Sequence, residues 1–146
     1  MRRPLVALLC LVLFQIPLCS ASERESVRNG DIEMHCVAVP SMTLTPEAAQ
    51  DFNIERAPER GLLTITVIRH MPNGEALTQP AQVFAGAISL RNSLSSIPVR
   101  EVRRGNAVFY LGEFRVNNPD TLRFLVNGSA AGKPLNANFS RNFVTP

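Results

Sequence analysis

The chain has 146 residues, 45% hydrophobic and 18% charged, with three cysteines and a formal net charge of +3. That length suits one domain of ordinary size, and the hydrophobic content excludes a disordered chain. Three cysteines are too few for a disulfide-stapled miniprotein, and the absence of a running heptad excludes a coiled coil.

Met1-Arg2-Arg3 is a short positive start, and Leu5 to Leu18 is almost continuously apolar before the small residues Cys19-Ser20-Ala21. That order predicts a secretory signal peptide over 1–21, cleaved after Ala21. Its apolar run of about 14 residues is shorter than the roughly 20 that span a bilayer. Leu9 and Leu18 precede Cys10 and Cys19, where a lipid-modified cysteine needs a small residue, so soluble export to the periplasm is expected. Cleavage takes Arg2 and Arg3 from the 15 basic residues against 12 acidic, leaving a net of about +1. It also takes Cys10 and Cys19, so Cys36 stays without an internal disulfide partner although the compartment permits disulfides. No second apolar stretch reaches membrane length.

Residues 22–29 are polar and charged and read as a flexible lead-in to a domain over 30–146. From there the pattern has period two, which sends alternate side chains to opposite sheet faces. Ile32, Met34, Cys36 and Ala38 share one face, with Glu33, His35 and Val37 on the other, and Pro40 ends the strand. Thr45-Pro46-Glu47 predicts one short helical turn ending near Asn53, with a Thr cap, a first-turn Pro and an early carboxylate. Leu63, Ile65 and Val67 alternate in the next strand, and Pro72-Asn73-Gly74 supplies a turn. Residues 83–90 form another strand and 93–98 a loop. Residues 99–104 and 107–116 flank the hairpin signal Gly105-Asn106. Leu122, Phe124 and Val126 make a strand, and Leu135, Ala137, Phe139 and Phe143 mark the last.

About seven short strands with turn residues between them predict an all-β fold, an immunoglobulin-like antiparallel β-sandwich. An eight-strand barrel is the alternative. If the strands on either side of 117–121 are neighbours, Val116 faces Leu122 and Arg115 faces Arg123, a like-charge pair that calls for an acid or anion between them.

Met34-His35-Cys36, the run Ser41-Met42-Thr43-Leu44-Thr45-Pro46-Glu47-Ala48-Ala49, and Phe52-Asn53-Ile54-Glu55-Arg56 carry a resemblance. Val99-Arg100-Glu101-Val102, Val108 to Arg115 and Thr121-Leu122-Arg123-Phe124 extend it. Together they resemble domain of unknown function 4426, a family of short exported proteins chiefly of gammaproteobacteria, from about Gly30 to Val144. The resemblance implies a periplasmic location and a sandwich fold, and brings no mechanism. Cys36 stands where the family has an aromatic, which argues against a family-wide catalytic cysteine.

No G-x-S-x-G, HExxH, CxxC or glycine-rich phosphate loop occurs, and the acids are scattered, so a non-enzymatic reading is expected. A small hydrolase would need Cys36 beside His70, since His35 and Cys36 point to opposite faces. A copper or zinc carrier would draw on His35, His70, Met71 and possibly Cys36, the soft and imidazole ligands those ions prefer. Against this, alternation separates Cys36 from His35. No cofactor is indicated. Arg100, Arg103 and Arg104 are interrupted by Glu101, which argues for a guarded strand edge rather than a nucleic-acid surface. Phe109 and Leu111 fall opposite Val108 and Tyr110, so this strand is apolar on both sides. Either it is covered twice, or Phe109, Leu111, Arg115 and Arg123 face a partner. The function expected is a binding or accessory module for another periplasmic protein or envelope component.

Overall fold

The computed structural model describes residues 24–117 and 119–144. The signal peptide expected over 1–21 lies outside the described residues. Ten strands form two antiparallel sheets. In the first, β1 (Arg24–Asn29), β2 (Ile32–Pro40), β3 (Arg60–His70), β8 (Ala107–Arg115) and β7 (Val99–Arg104) lie in that order. The short β4 (Ala76–Thr78) pairs with the end of β3. The second sheet runs β10 (Lys133–Phe143), β9 (Asp120–Ala130), β5 (Gln82–Ile88) and β6 (Leu94–Ile97). The two pack face to face and do not close into a barrel, so the sandwich expected from the alternation is the fold.

The seven expected strands are present, and three more join them. Residues 24–29 are not a flexible lead-in. They form β1, paired with β2 from Arg24 opposite Val37 to Asn29 opposite Ile32, across a turn where Gly30 has φ 63°. An edge strand with one solvated face needs few apolar residues, and only Val27 packs against the core. The expected loop over 93–98 contains β6, whose serines hide a strand for the same reason. β4 is short enough to pass for the continuation of its turn.

Alternation holds along β2, where Ile32, Met34, Cys36 and Ala38 have no exposed surface. Leu63, Ile65 and Val67 of β3 and Phe124 and Val126 of β9 are equally enclosed. Four phenylalanines fasten one sheet to the other. Phe114 of β8 meets Phe124 of β9 edge-on at 4.9 Å between ring centroids and Phe143 of β10 at 5.5 Å. Phe139 stacks on Phe124 at 5.1 Å. Such pairs add about 0.5–1.5 kcal/mol each beyond the area they bury. The Phe114 ring also lies across Gly61, its cross-strand partner on β3, where a Cβ would collide with it.

The helix α1 (Pro46–Asp51) follows a 3₁₀ turn at Ser41–Thr43. Thr45 Oγ1 accepts the Ala48 N–H at 3.2 Å, Pro46 occupies the first turn, and the segment ends where Asn53 takes φ 53°. Buried Ser41 accepts the Ala57 N–H and donates to the Ala57 carbonyl, each at 3.0 Å, pinning both ends of this excursion. The segment lies on the outer face of the first sheet. Ala49 and Ile54 pack with Leu62 of β3 and Leu111 of β8, and Phe52 meets Phe109 at 5.6 Å.

The sides of the sandwich are joined differently. On one side the chain itself crosses from β6 to β7 through Pro98, and Ala81, entering β5, donates its N–H to the buried Tyr110 hydroxyl at 2.7 Å. On the other, polar latches join β2 and its turn with β1 to β10. Asn29 Nδ2 donates to the Pro134 carbonyl at 2.9 Å, and Arg141 donates to the Ala38 carbonyl. Lys133 pairs with Asp31, whose other oxygen takes Arg69 Nε at 3.0 Å. The Lys133 hydrogen bond, helped by Arg69, holds the Asp31 carboxyl down at about 2.

Two outcomes are expected. Gly61→Ala forces the Phe114 ring from its seat, and urea unfolding will show a loss of about 1–3 kcal/mol. Because Asp31 is depressed in the folded state, its contribution is complete above the ordinary value of 3.8 and is lost as pH falls through about 2. Asp31→Asn will therefore lower stability at neutral pH and flatten its decline below pH 4, measured by thermal melts across pH 2–7.

Candidate functional site

The histidine, cysteine and methionine residues read as a possible metal set do not gather into one group: only His35 and His70 come together, and Cys36 lies on the other face. Cys36 points into the core, where burial, with a minor contribution from the Glu25 charge, pushes its thiol up to about 12. His35 lies on the outer face, as alternation requires. His70 joins it there, since both imidazoles address Glu33: His70 Nε2 stands 2.6 Å from Oε2, and His35 Nε2 stands 3.2 Å from Oε1. Ser26 of β1 donates to Glu33 Oε1 at 2.6 Å. That hydroxyl first, and His70 second, hold the Glu33 carboxyl below the usual carboxylate range. Met71 follows at the exposed end of β3. Among the described residues no group of three or more His, Cys, Asp and Glu side chains is arranged to hold a metal ion. The Cys36–His70 pair a thiol hydrolase would need is likewise split between the two faces of the sheet. Glu33 was visible beside His35 in the alternation, but only the β2–β3 register brings His70 to it.

The partner surface expected at Phe109 and Leu111 is also revised. Leu111 is 4% exposed beneath Ala49 and Ile54, and Phe109 packs on Phe52. The strand is apolar on both sides because it is covered on both sides, by the second sheet within and by the α1 segment without.

Arg115 and Arg123 do not face each other, because β8 and β9 belong to different sheets. The chain between them crosses the end of the sandwich. Arg115 instead lies opposite Arg60 on β3. Arg60 takes Glu55 at 3.0 Å and Glu113 at 3.9 Å, while Arg115 has no ion pair among the described residues. The crossing nevertheless keeps Arg115 and Arg123 at one end, around the Ser89–Ser93 turn. That turn is closed by Asn92 N–H to Ser89 O at 2.9 Å and Ser89 N–H to Ser93 O at 3.1 Å. Clefts lined by Arg115 and by Arg123 share Ser89.

Beside that turn lies the barest edge of the fold. Of the four strands that end the two main strand orders, β1, β7 and β10 carry arginine, lysine or glutamate, whereas β6 reads Leu-Ser-Ser-Ile; the three-residue β4, off the main order, is also uncharged. Charges on an edge discourage strand addition, and β6 has none. Leu94 on β6 is 67% exposed, Leu90 in the turn 74%, and Phe84 on neighbouring β5 71%. Leu94 Cδ1 lies over Gly86, whose cross-strand partner is Ser96. Nothing in the local sequence advertised this patch, since its apolar residues come from three different segments.

A family model described as a domain of unknown function, DUF4426, matches residues 26–145. The chain belongs to the DUF4426 family. The resemblance read from the sequence is thereby shown, and the match begins within β1. A solved DUF4426 family protein from Pseudomonas aeruginosa PAO1 is similar at a TM-score of 0.69 and 22% identity, covering 85% of this chain and 97% of its own. At that identity the likeness is one of fold. The GAE domain of yeast GGA1 covers 84% of this chain and 99% of its own at a TM-score of 0.30 and 8% identity, too low to carry an argument. No curated protein matches the chain. Among the described residues no helix is long and apolar enough to cross a membrane.

In this DUF4426 domain the raised thiol predicts chemical silence. At pH 8 Cys36 will react with iodoacetamide roughly a thousandfold more slowly in the folded protein than in the unfolded chain, the difference between about 12 and the ordinary 9.0. Equal rates, followed by mass spectrometry, would contradict its place in the core.

Proposed function

We propose that this DUF4426 protein is an exported, non-enzymatic binding module of the periplasm that accepts an extended segment of another envelope protein along β6. Export is supported by the positive, apolar and small-residue order of residues 1–21. The binding reading rests on one observation, the uncharged free edge of β6 flanked by exposed Leu94, Leu90 and Phe84. An edge strand offers unpaired N–H and C=O groups to an incoming strand, and exposed apolar side chains beside it give that strand something to pack on. The strands at the three other ends of the sheets carry charge, and the uncharged β4 is only three residues long, which favours β6 for an added strand. The partner chemistry that fits is an extended segment with apolar residues at alternate positions.

The test places a photoreactive side chain at Leu94 or, as a control, at Glu101 on the β7 edge, in the full chain expressed in its periplasm. Leu94 is expected to yield a discrete crosslinked species that Glu101 does not, and Ser96→Lys in the same chain is expected to abolish it by charging the edge. A species of twice the protein's own mass would replace the heterologous partner by a second copy. Equal crosslinking from both edges would overturn the reading.

A further inference from the structure

The cleft beneath the Ser89–Ser93 turn holds two opposite charges that do not neutralise each other. It has a volume of about 400 Å³ and opens between the end of β8, the inner side of β6 and the start of β9. Arg115 and Asp120 both line it. Neither makes an ion pair among the described residues, so the two groups stand beyond salt-bridge distance of each other. Elsewhere Asp31, Glu33, Glu55, Glu101 and Glu113 each meet a basic side chain. Arg115 is also left beside a like charge, because the acids that reach its cross-strand partner Arg60 are Glu55 and Glu113.

Polar side chains surround the charges. Ser93, Ser95, Ser96 and Asn117 line the cleft, and none of these side chains is hydrogen-bonded to another group among the described residues. A guanidinium binds a carboxylate through paired N–H donors, and a carboxylate at some distance in the same cleft offers a place for an ammonium. Asp120 works against a dianion, and Arg115 works against a simple cation. What satisfies both is a molecule with one charge of each sign.

We propose that this cleft binds a small zwitterion of the amino-acid type, its carboxylate on Arg115 and its ammonium toward Asp120, with the serine hydroxyls and Asn117 taking its remaining polar groups. The site lies inside the end of the sandwich and does not depend on strand addition at β6, so either reading can fail without the other.

The test is a titration of the ¹⁵N-labelled protein, purified from cells expressing the full chain, followed by two-dimensional NMR at pH 7 and constant ionic strength. The probes are L-alanine, L-leucine, acetate, methylammonium and inorganic phosphate, each in its own series. At least one amino acid is expected to give saturable shifts at the amides of Ser93, Ser95, Ser96 and Asn117, with acetate and methylammonium at least tenfold weaker. Arg115→Gln is expected to abolish the saturable shifts and Asp120→Asn to weaken them about tenfold, in variants whose spectra elsewhere match the parent. Acetate or phosphate binding as tightly as the amino acids would overturn the zwitterion assignment. The absence of saturation with either amino acid, or saturation that survives Arg115→Gln, would overturn the site.

Discussion

Phe124 is the point through which the two sheets act on each other. Its ring has no exposed surface and meets Phe114 from the first sheet and Phe139 and Phe143 from the strand beside it. Burying an aromatic side chain of this kind stabilises by a few kcal/mol, and here the same ring fixes the relative position of β8, β9 and β10. Gly61 is the counterpart of that cluster, since the Phe114 ring occupies the space a side chain would take. From this constraint follows the crossing of the chain between β8 and β9, which carries Phe114 and Phe124 to opposite walls of one core.

The same arrangement decides which surfaces remain open. With β3 and β8 at the middle of the first sheet, their outer faces hold Leu62, Phe109 and Leu111, and the α1 segment is needed to cover them. Thr45, Pro46 and buried Ser41 set that cover in place. Among the described residues nothing comparable lies over the outer face of β5 and β6, where Phe84, Leu90 and Leu94 are exposed. Among the described residues the fold thus covers one apolar outer face with its own chain and leaves the apolar side chains of the other exposed.

Charge is distributed along the same division. In the first sheet Asp31 holds Lys133 and Arg69, and Glu33 gathers Ser26, His35 and His70 from three strands. These contacts are largely solvated and fix local geometry more than they add stability. Around the Ser89–Ser93 turn, Arg91, Arg115, Arg123 and Asp120 have no such engagement among the described residues. Among the described residues, unpaired Arg115 and Asp120, unbonded serine side chains and exposed leucines thus stand together at one end, for which the packing of the core offers no explanation.

Local pattern determined the elements that alternate strongly. Ile32 to Ala38 and Leu63 to Val67 follow from a side-chain period of two, and Thr45-Pro46-Glu47 marks its helix because capping chemistry is local. Cys36 facing the core was legible on the same ground. Strands with a solvated face, β1 and β6, were not, because serine, glutamate and arginine on an edge look like a loop until a neighbour pairs with them. Nor could the sequence place Arg115 and Arg123, since that depends on whether the chain turns back within a sheet or crosses to the other. The meeting of His70 with Glu33, the covering of Phe109 and Leu111 by α1, and the cleft shared by Arg115 and Asp120 all join residues distant along the chain. Alternation tells each side chain which face it takes, but only the closed packing of both sheets decides what stands across from it.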